Sequence, residues 1–203
     1  MKMVALFMVL SFFLFGCAST TPDETSSGLK VTEIQPNKWT ALTKQNLFQL
    51  AQVYDLAPVL FTKEIQIQSK VVPKSHPVLT LNTRNAEHPK RLLSSFLHEQ
   101  LHWWAVINND KMNHAIKELR KIYPKAPMTR SSGPNSTYIH LIVCYLEYRT
   151  LAFYLGEKES REVISVIMKK DKIYPWIYYQ VLNKNFAIKK IVQKYTLLPP
   201  PIL

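Results

Sequence analysis

Three residues able to do chemistry stand together inside an apolar stretch: His98, Glu99 and His102, within Phe96-Leu97-His98-Glu99-Gln100-Leu101-His102-Trp103-Trp104. On an α-helix four residues advance about 400°, so His98 and His102 project from one face a single turn apart, where one ion can take both imidazoles. Glu99 is rotated by about 100° from His98. Its carboxylate therefore reaches a water on that ion without being a ligand. The spacing supplies two ligands and a base. Leu93, Phe96, Leu97, Leu101 and Trp104 surround these groups, so the helix is largely buried and unpaired charge on it would be costly. A bound metal ion removes that cost.

A catalytic zinc site takes three protein ligands and keeps one position open, so a third donor is required. Segment 138–155 is a second strongly apolar stretch, and its charged or metal-binding side chains are His140, Cys144, Glu147 and Arg149. His140 and Glu147 are seven residues apart, two helical turns, and share a face with Cys144 between them. Glu147 is the expected third ligand, giving a neutralising His98, His102 and Glu147 set around one Zn2+ ion. His140 would then act catalytically, by hydrogen-bonding the substrate carbonyl or the oxyanion. In the alternative His140 ligates and Glu147 supports a ligand from behind. The two lie roughly 10 Å apart along the helix axis, so they do not both bind one ion. Cys144 is expected to pack rather than ligate. His76, His88 and His114 lack a comparable setting, and Tyr174, Tyr178 and Tyr179 are expected to pack around Trp176, with a transition-state role as the alternative.

The elements that must position these groups follow from pattern. Thr43 caps a helix over 44–54 with Leu47, Leu50, Ala51 and Tyr54 at helical spacing. Segments 59–62, 64–68 and 77–83 are short, alternating and β-rich, which predicts two or three strands of a small antiparallel sheet. The last of them starts at Pro77 and leads into the motif helix, so it reads as an edge strand with free backbone groups beside the site. The motif helix should start at Pro89 and reach Ile107, ending at Asn108-Asn109. Everything after it reads as helical: 112–123, 138–155 with Gly156 as its stop, 159–169, 176–182 and 186–195. Between the first two lies a Pro- and Gly-containing loop over 124–136, long enough to line or cover a cleft. The fold class is α+β and mainly α.

The ends carry a different message. Lys2 is followed by an uncharged run of about 13 residues from Met3 to Phe15, too short to span a bilayer and of the length of a signal-peptide core. It closes in Leu14-Phe15-Gly16-Cys17, which resembles the lipobox of bacterial lipoproteins. That resemblance implies a signal peptide over 1–16, lipid attachment at Cys17 and a flexible tether over 17–30. Ala18 is not the aspartate associated with inner-membrane retention, which implies the outer membrane of a bacterial envelope. The folded domain is a single one over 31–198, and Pro199-Pro200-Pro201 opens an extended tail over 199–203. Removing residues 1–16 takes away Lys2 alone among charged groups, leaving 25 basic against 14 acidic residues, net +11. Outside the cytoplasm such a surface attracts anionic envelope polymers and lipid headgroups rather than nucleic acid. With Cys17 lipidated, Cys144 has no intramolecular disulfide partner, so packing must supply the stability.

The H-E-Q-L-H motif on a long helix, the edge strand before it and a glutamate on a later helix together resemble the gluzincin group of zinc metallopeptidases, over about residues 77–155. The chain lacks the Asn-Glu-x-x-x-Asp arrangement of the thermolysin type. The resemblance implies a zincin-like fold, substrate bound by strand addition along 78–83, and hydrolysis of an amide bond in a peptide or protein with Glu99 as general base. Two contrasting expectations stand beside it: a non-catalytic envelope lipoprotein with a structural metal, and an amidase acting on cell-wall peptides.

Overall fold

The computed structural model describes residues 28–128 and 133–202. The signal peptide, Cys17 and most of the tether lie outside the described residues. The chain runs β1 (Lys30–Ile34), α1 (Lys38–Val53), a 3₁₀ turn (Ala57–Val59), β2 (Glu64–Gln68), β3 (Leu79–Leu81), α2 (Pro89–Ile107), α3 (Asn109–Ile122), α4 (Ser136–Leu155), α5 (Glu157–Lys170), α6 (Pro175–Asn183), α7 (Phe186–Lys194) and a 3₁₀ turn (Pro200–Ile202). The mainly helical class expected from the sequence is the observed one.

The sheet corrects the expectation. Its three strands lie in the order β1-β2-β3 and both pairings are parallel, with Lys30 opposite Glu64 and Ile65 opposite Leu79. Alternation in Glu64-Ile65-Gln66-Ile67-Gln68 does bury one face, Ile65 and Ile67, against the helices. One-sided burial is the common pattern of antiparallel sheets, and this parallel sheet departs from it. Direction is set by the connections. α1 forms the crossover between β1 and β2; the sequence pattern assigned no strand at β1, and its first residue Lys30 and the buried Leu29 before it fall in the span read as tether. Segment 59–62 is not a strand; Val59 closes the first 3₁₀ turn.

β3 is at the edge of the sheet beside α2, yet its outer side is occupied. Thr80 N–H donates to the Lys74 carbonyl at 2.7 Å and Lys74 N–H donates back to the Thr80 carbonyl at 3.0 Å. The connection from β2 to β3 thus doubles back antiparallel along β3 at the central position. It takes the backbone groups on which strand addition by a substrate would rely.

α1 starts six residues earlier than the expected 44. Asn37 accepts from the backbone of Trp39 and Thr40, and Thr40 Oγ1 accepts from Asn37 N–H, a capping box built on threonine. Thr43, read as the cap, instead sits inside the helix and donates to the Trp39 carbonyl at 2.8 Å. α2 has the expected ends: Pro89 occupies the first turn and Asn108 the last cap, with α3 following almost without a break.

α4 is apolar on every side, and such a helix belongs at the centre of the fold. It packs against α2, α3, α5, α6 and α7, and its Leu141, Ile142, Val143 and Leu151 are fully buried. Gly156, at φ +82°, ends it in a backbone conformation that side chains disfavour. The final prolines do not extend away from the fold as expected; Pro200–Ile202 coils into its 3₁₀ turn and packs on α4 and on the turn at 57–59. Among the described residues no helix is long and apolar enough to cross a membrane.

Candidate metal centre

The centre forms where α2 crosses α4. The rotation of α2 is fixed from its far side by Gln100, fully buried, whose Oε1 accepts from Phe61 and Thr62 N–H at 2.9 and 3.0 Å and whose Nε2 donates to the Thr62 carbonyl at 2.8 Å. With Gln100 anchored there, His98 and His102 must point the opposite way, towards α4.

His98 and His102 meet His140 there. The ring centroids are 5.0 Å apart for His98 and His102, 4.9 Å for His102 and His140, and 5.7 Å for His98 and His140. One nitrogen from each ring lies within 4.8 Å of the other two. Nitrogens roughly 2.0–2.1 Å from one zinc ion are at most about 4.2 Å apart, so a small inward shift of the rings brings all three onto a single ion. A second set of donors converges nearby, His98, Cys144 and Glu147. Among the described residues Glu147 converges with His98 and Cys144 but not with His102.

The hydrogen bonds separate the two sets. Glu147 is 1% exposed and both of its oxygens are engaged: Oε1 accepts from Ser94 Oγ at 2.5 Å, and Oε2 meets His98 Nδ1 at 2.8 Å and accepts from the Tyr178 hydroxyl at 3.1 Å. His98 Nδ1 is thereby committed to the carboxylate, which leaves Nε2 for an ion. His140 is arranged alike. Its Nδ1 lies 2.8 Å from the Ser136 carbonyl, an acceptor only, so Nδ1 carries the hydrogen and Nε2 is the free donor atom.

The electrostatics fit ligation by neutral imidazoles. Burial, aided by the neighbouring His98, pushes His140 down to about 3. Burial also holds His102 well below the ordinary imidazole range, with His98, His140 and His76 acting in the same direction. His98 differs: burial lowers it, but the Glu147 carboxylate more than reverses this, so without an ion the ring holds its proton. Burial raises Glu99 to about 7, against an opposing pull from His98. Among the described residues Glu99 has no side-chain hydrogen-bond partner, so its proton affinity is not spent on the fold. Burial likewise raises Cys144 to about 11, which keeps it a thiol.

Each residue picked out from the sequence can now be placed. His98, His102 and His140 come together, with Glu99 on the same turn; Glu147 is close to His98 but turned into a polar pocket behind it. Tyr178 serves that pocket. Tyr174 lies flat on His140, ring centroids 4.2 Å apart, while Tyr179 is exposed and Lys184 lies over it. Ser94 carried no expectation from the sequence, and His76 was set aside there as lacking a comparable setting. Ser94 is one turn before His98 on the same helix face, a signal that spacing alone offers. His76 is exposed and stacks on Trp103 at 4.3 Å beside His102, a position that only the folded connection creates. Comparison with protein-family models, with curated proteins and with solved structures found no match.

Proposed function

We propose that the chain is a zinc-dependent hydrolase of amide bonds in peptides or proteins, held at a bacterial envelope through Cys17. The observation that carries this reading is the convergence of three imidazoles, His98, His102 and His140, one residue away from a buried carboxylate with raised proton affinity. The residues suit a zinc ion: His98 and His140 each have one ring nitrogen tied to an acceptor and the other free, and three neutral ligands leave the ion its full charge. A zinc ion at this position supplies Lewis-acid polarisation of a carbonyl and an acidified water.

The chain's own residues do the rest. His140 is the third ligand, in place of the Glu147 assignment that spacing favoured, because both Glu147 oxygens already accept hydrogen bonds. Glu147 orients His98 and neutralises the positive charge that it gains. Glu99 takes a proton from the attacking water and returns it to the leaving nitrogen, a role suited to a group whose affinity is matched to neutral pH.

The structural-metal alternative draws on the second donor set, His98, Cys144 and Glu147. It requires the Cys144 thiol to ionise, against the effect of its burial, and Glu147 to give up three donors. The hydrolase reading requires neither.

The deciding experiment measures zinc in the purified chain and then assays it on an unstructured protein and on peptidoglycan. Stoichiometric zinc with cleavage of either substrate supports hydrolysis, and the substrate cleaved separates peptidase from cell-wall amidase. Stoichiometric zinc without cleavage of either overturns it in favour of a structural metal.

A further inference from the structure

If His140 is a ligand, the oxyanion-stabilising role first assigned to it has no holder. The connection between β2 and β3 brings another imidazole onto Trp103, the residue after His102. Five tertiary contacts fix this short segment: Asn82 Nδ2 donates to the Val71 carbonyl at 3.0 Å, the Lys74 and Thr80 backbones exchange two hydrogen bonds, Trp103 Nε1 donates to the Ser75 carbonyl at 2.8 Å, and the His76 ring stacks on the Trp103 indole at 27°. The backbone on the N-terminal side of His76 is thus tied down and its ring is held by the stack, although loops commonly leave their tips mobile. Trp103 follows His102 directly. The stack therefore holds His76 against the residue that follows His102, at the rim of the metal centre.

The ring is also oriented. His76 Nδ1 lies 2.9 Å from Ser75 Oγ. With the Ser75 hydroxyl donating to Nδ1, the ring hydrogen sits on Nε2, the edge turned away from Ser75. The other aromatic at the rim, Tyr174, lies with its face on His140 and makes a packing contact there.

We propose that His76 is a catalytic residue of this chain, its Nε2–H donating a hydrogen bond to the carbonyl oxygen of the amide under attack. The inference rests on the hydrolase reading above. Water adds to the carbonyl carbon while Glu99 takes one of its protons, and the C=O π pair moves onto the oxygen that His76 holds. That pair then returns, the C–N bond breaks, and Glu99 delivers the proton to the departing nitrogen. An acid and an amine result, and His76 keeps its hydrogen throughout. The segment that brings His76 to the site also covers the β3 edge, so the substrate is held at the metal rim by side chains rather than by sheet extension.

The test compares His76→Phe with His76→Gln in the zinc-loaded chain on an unstructured protein substrate. Phenylalanine keeps the stack on Trp103 and removes the donor, whereas glutamine restores an N–H at nearly the same reach. His76→Phe should lower kcat by about 100-fold, the usual loss for one oxyanion donor. KM and zinc content should stay the same, and His76→Gln should recover part of the rate. A peptide phosphinate, which mimics the tetrahedral state, should lose affinity for His76→Phe in the same proportion. Nitrogen-15 spectra of the metal-free chain provide a readout independent of turnover and should place the His76 hydrogen on Nε2. A His76→Phe chain with wild-type kcat, or a hydrogen found on Nδ1, overturns the assignment. A rate loss in Tyr174→Phe with none in His76→Phe also overturns it and moves the role to Tyr174. A zinc-loaded wild type that cleaves nothing defeats the hydrolase reading first, a result distinct from any of these.

Discussion

The two sides of His98 are built from the same residue type and differ in almost everything else. Behind it Glu147 is held by Ser94, His98 and Tyr178, with both oxygens engaged; beside it Glu99 is nearly as buried and has no side-chain partner among the described residues. Hydrogen bonds to a carboxylate stabilise its charged form, and burial without them stabilises the neutral one. Two glutamates on adjoining helices are thus set to different tasks by what surrounds them. Glu147 holds a ring in place. Glu99 keeps the capacity to move a proton.

The contrast can be broken most directly at Glu99. Replacing it by glutamine should leave zinc content unchanged and reduce kcat by about 10³-fold, within the range for loss of a general base; activity within a few-fold of wild type would remove Glu99 from the mechanism.

The same difference should show as a pH dependence of stability in the metal-free chain. The Glu99 value of about 7 in the folded state lies above its ordinary value of 4.5, so the folded form binds the proton more tightly. Its contribution is fully present below about pH 4.5 and is lost as pH rises through 7, an amount of about 3 kcal/mol. The histidines titrate over the same range, with His102 and His140 acting in the opposite direction. The measurement is therefore the urea-unfolding free energy of wild type minus that of Glu99→Gln, and this difference should decline between pH 4.5 and 7 and level off above.

On the other side, Glu147→Gln should weaken zinc binding by about 10- to 100-fold, the usual effect of a group that orients a ligand. Competition with a chelator measures this. Loss of zinc beyond that, to the extent seen in His140→Ala, would make Glu147 a direct ligand. The smallest effect is expected for Ser94→Ala, which removes one of three donors: about 1 kcal/mol of stability by denaturant unfolding, with zinc affinity unchanged.

How much of this was legible in the sequence depends on the length scale. Pro89, Asn108 and Gly156 are local signals, and they marked the ends of α2 and α4. His98 and His102 were legible because one helical turn relates them. The choice between His140 and Glu147 was not, because spacing places both on one face of α4 and only the level at which α4 crosses α2 decides which one meets the imidazole pair. Strand direction was illegible for a similar reason: Ile65 and Ile67 record which face is buried, while the crossover through α1 decides parallel or antiparallel. His76 lies furthest from any local signal. Its place beside His102 depends on the Lys74 and Thr80 backbone pair and on an indole 27 residues later in the chain.

Trp104 lies on the motif helix two residues past His102; it donates its indole N–H to the Leu197 carbonyl at 2.8 Å and packs against Phe61. The C-terminal segment around Leu197 is therefore wired to the motif helix through a fluorophore. Emission from Trp104 should shift to longer wavelength when residues beyond Thr196 are removed, because water then reaches the indole. That gives an optical gauge, native to the chain, of whether the final segment is docked.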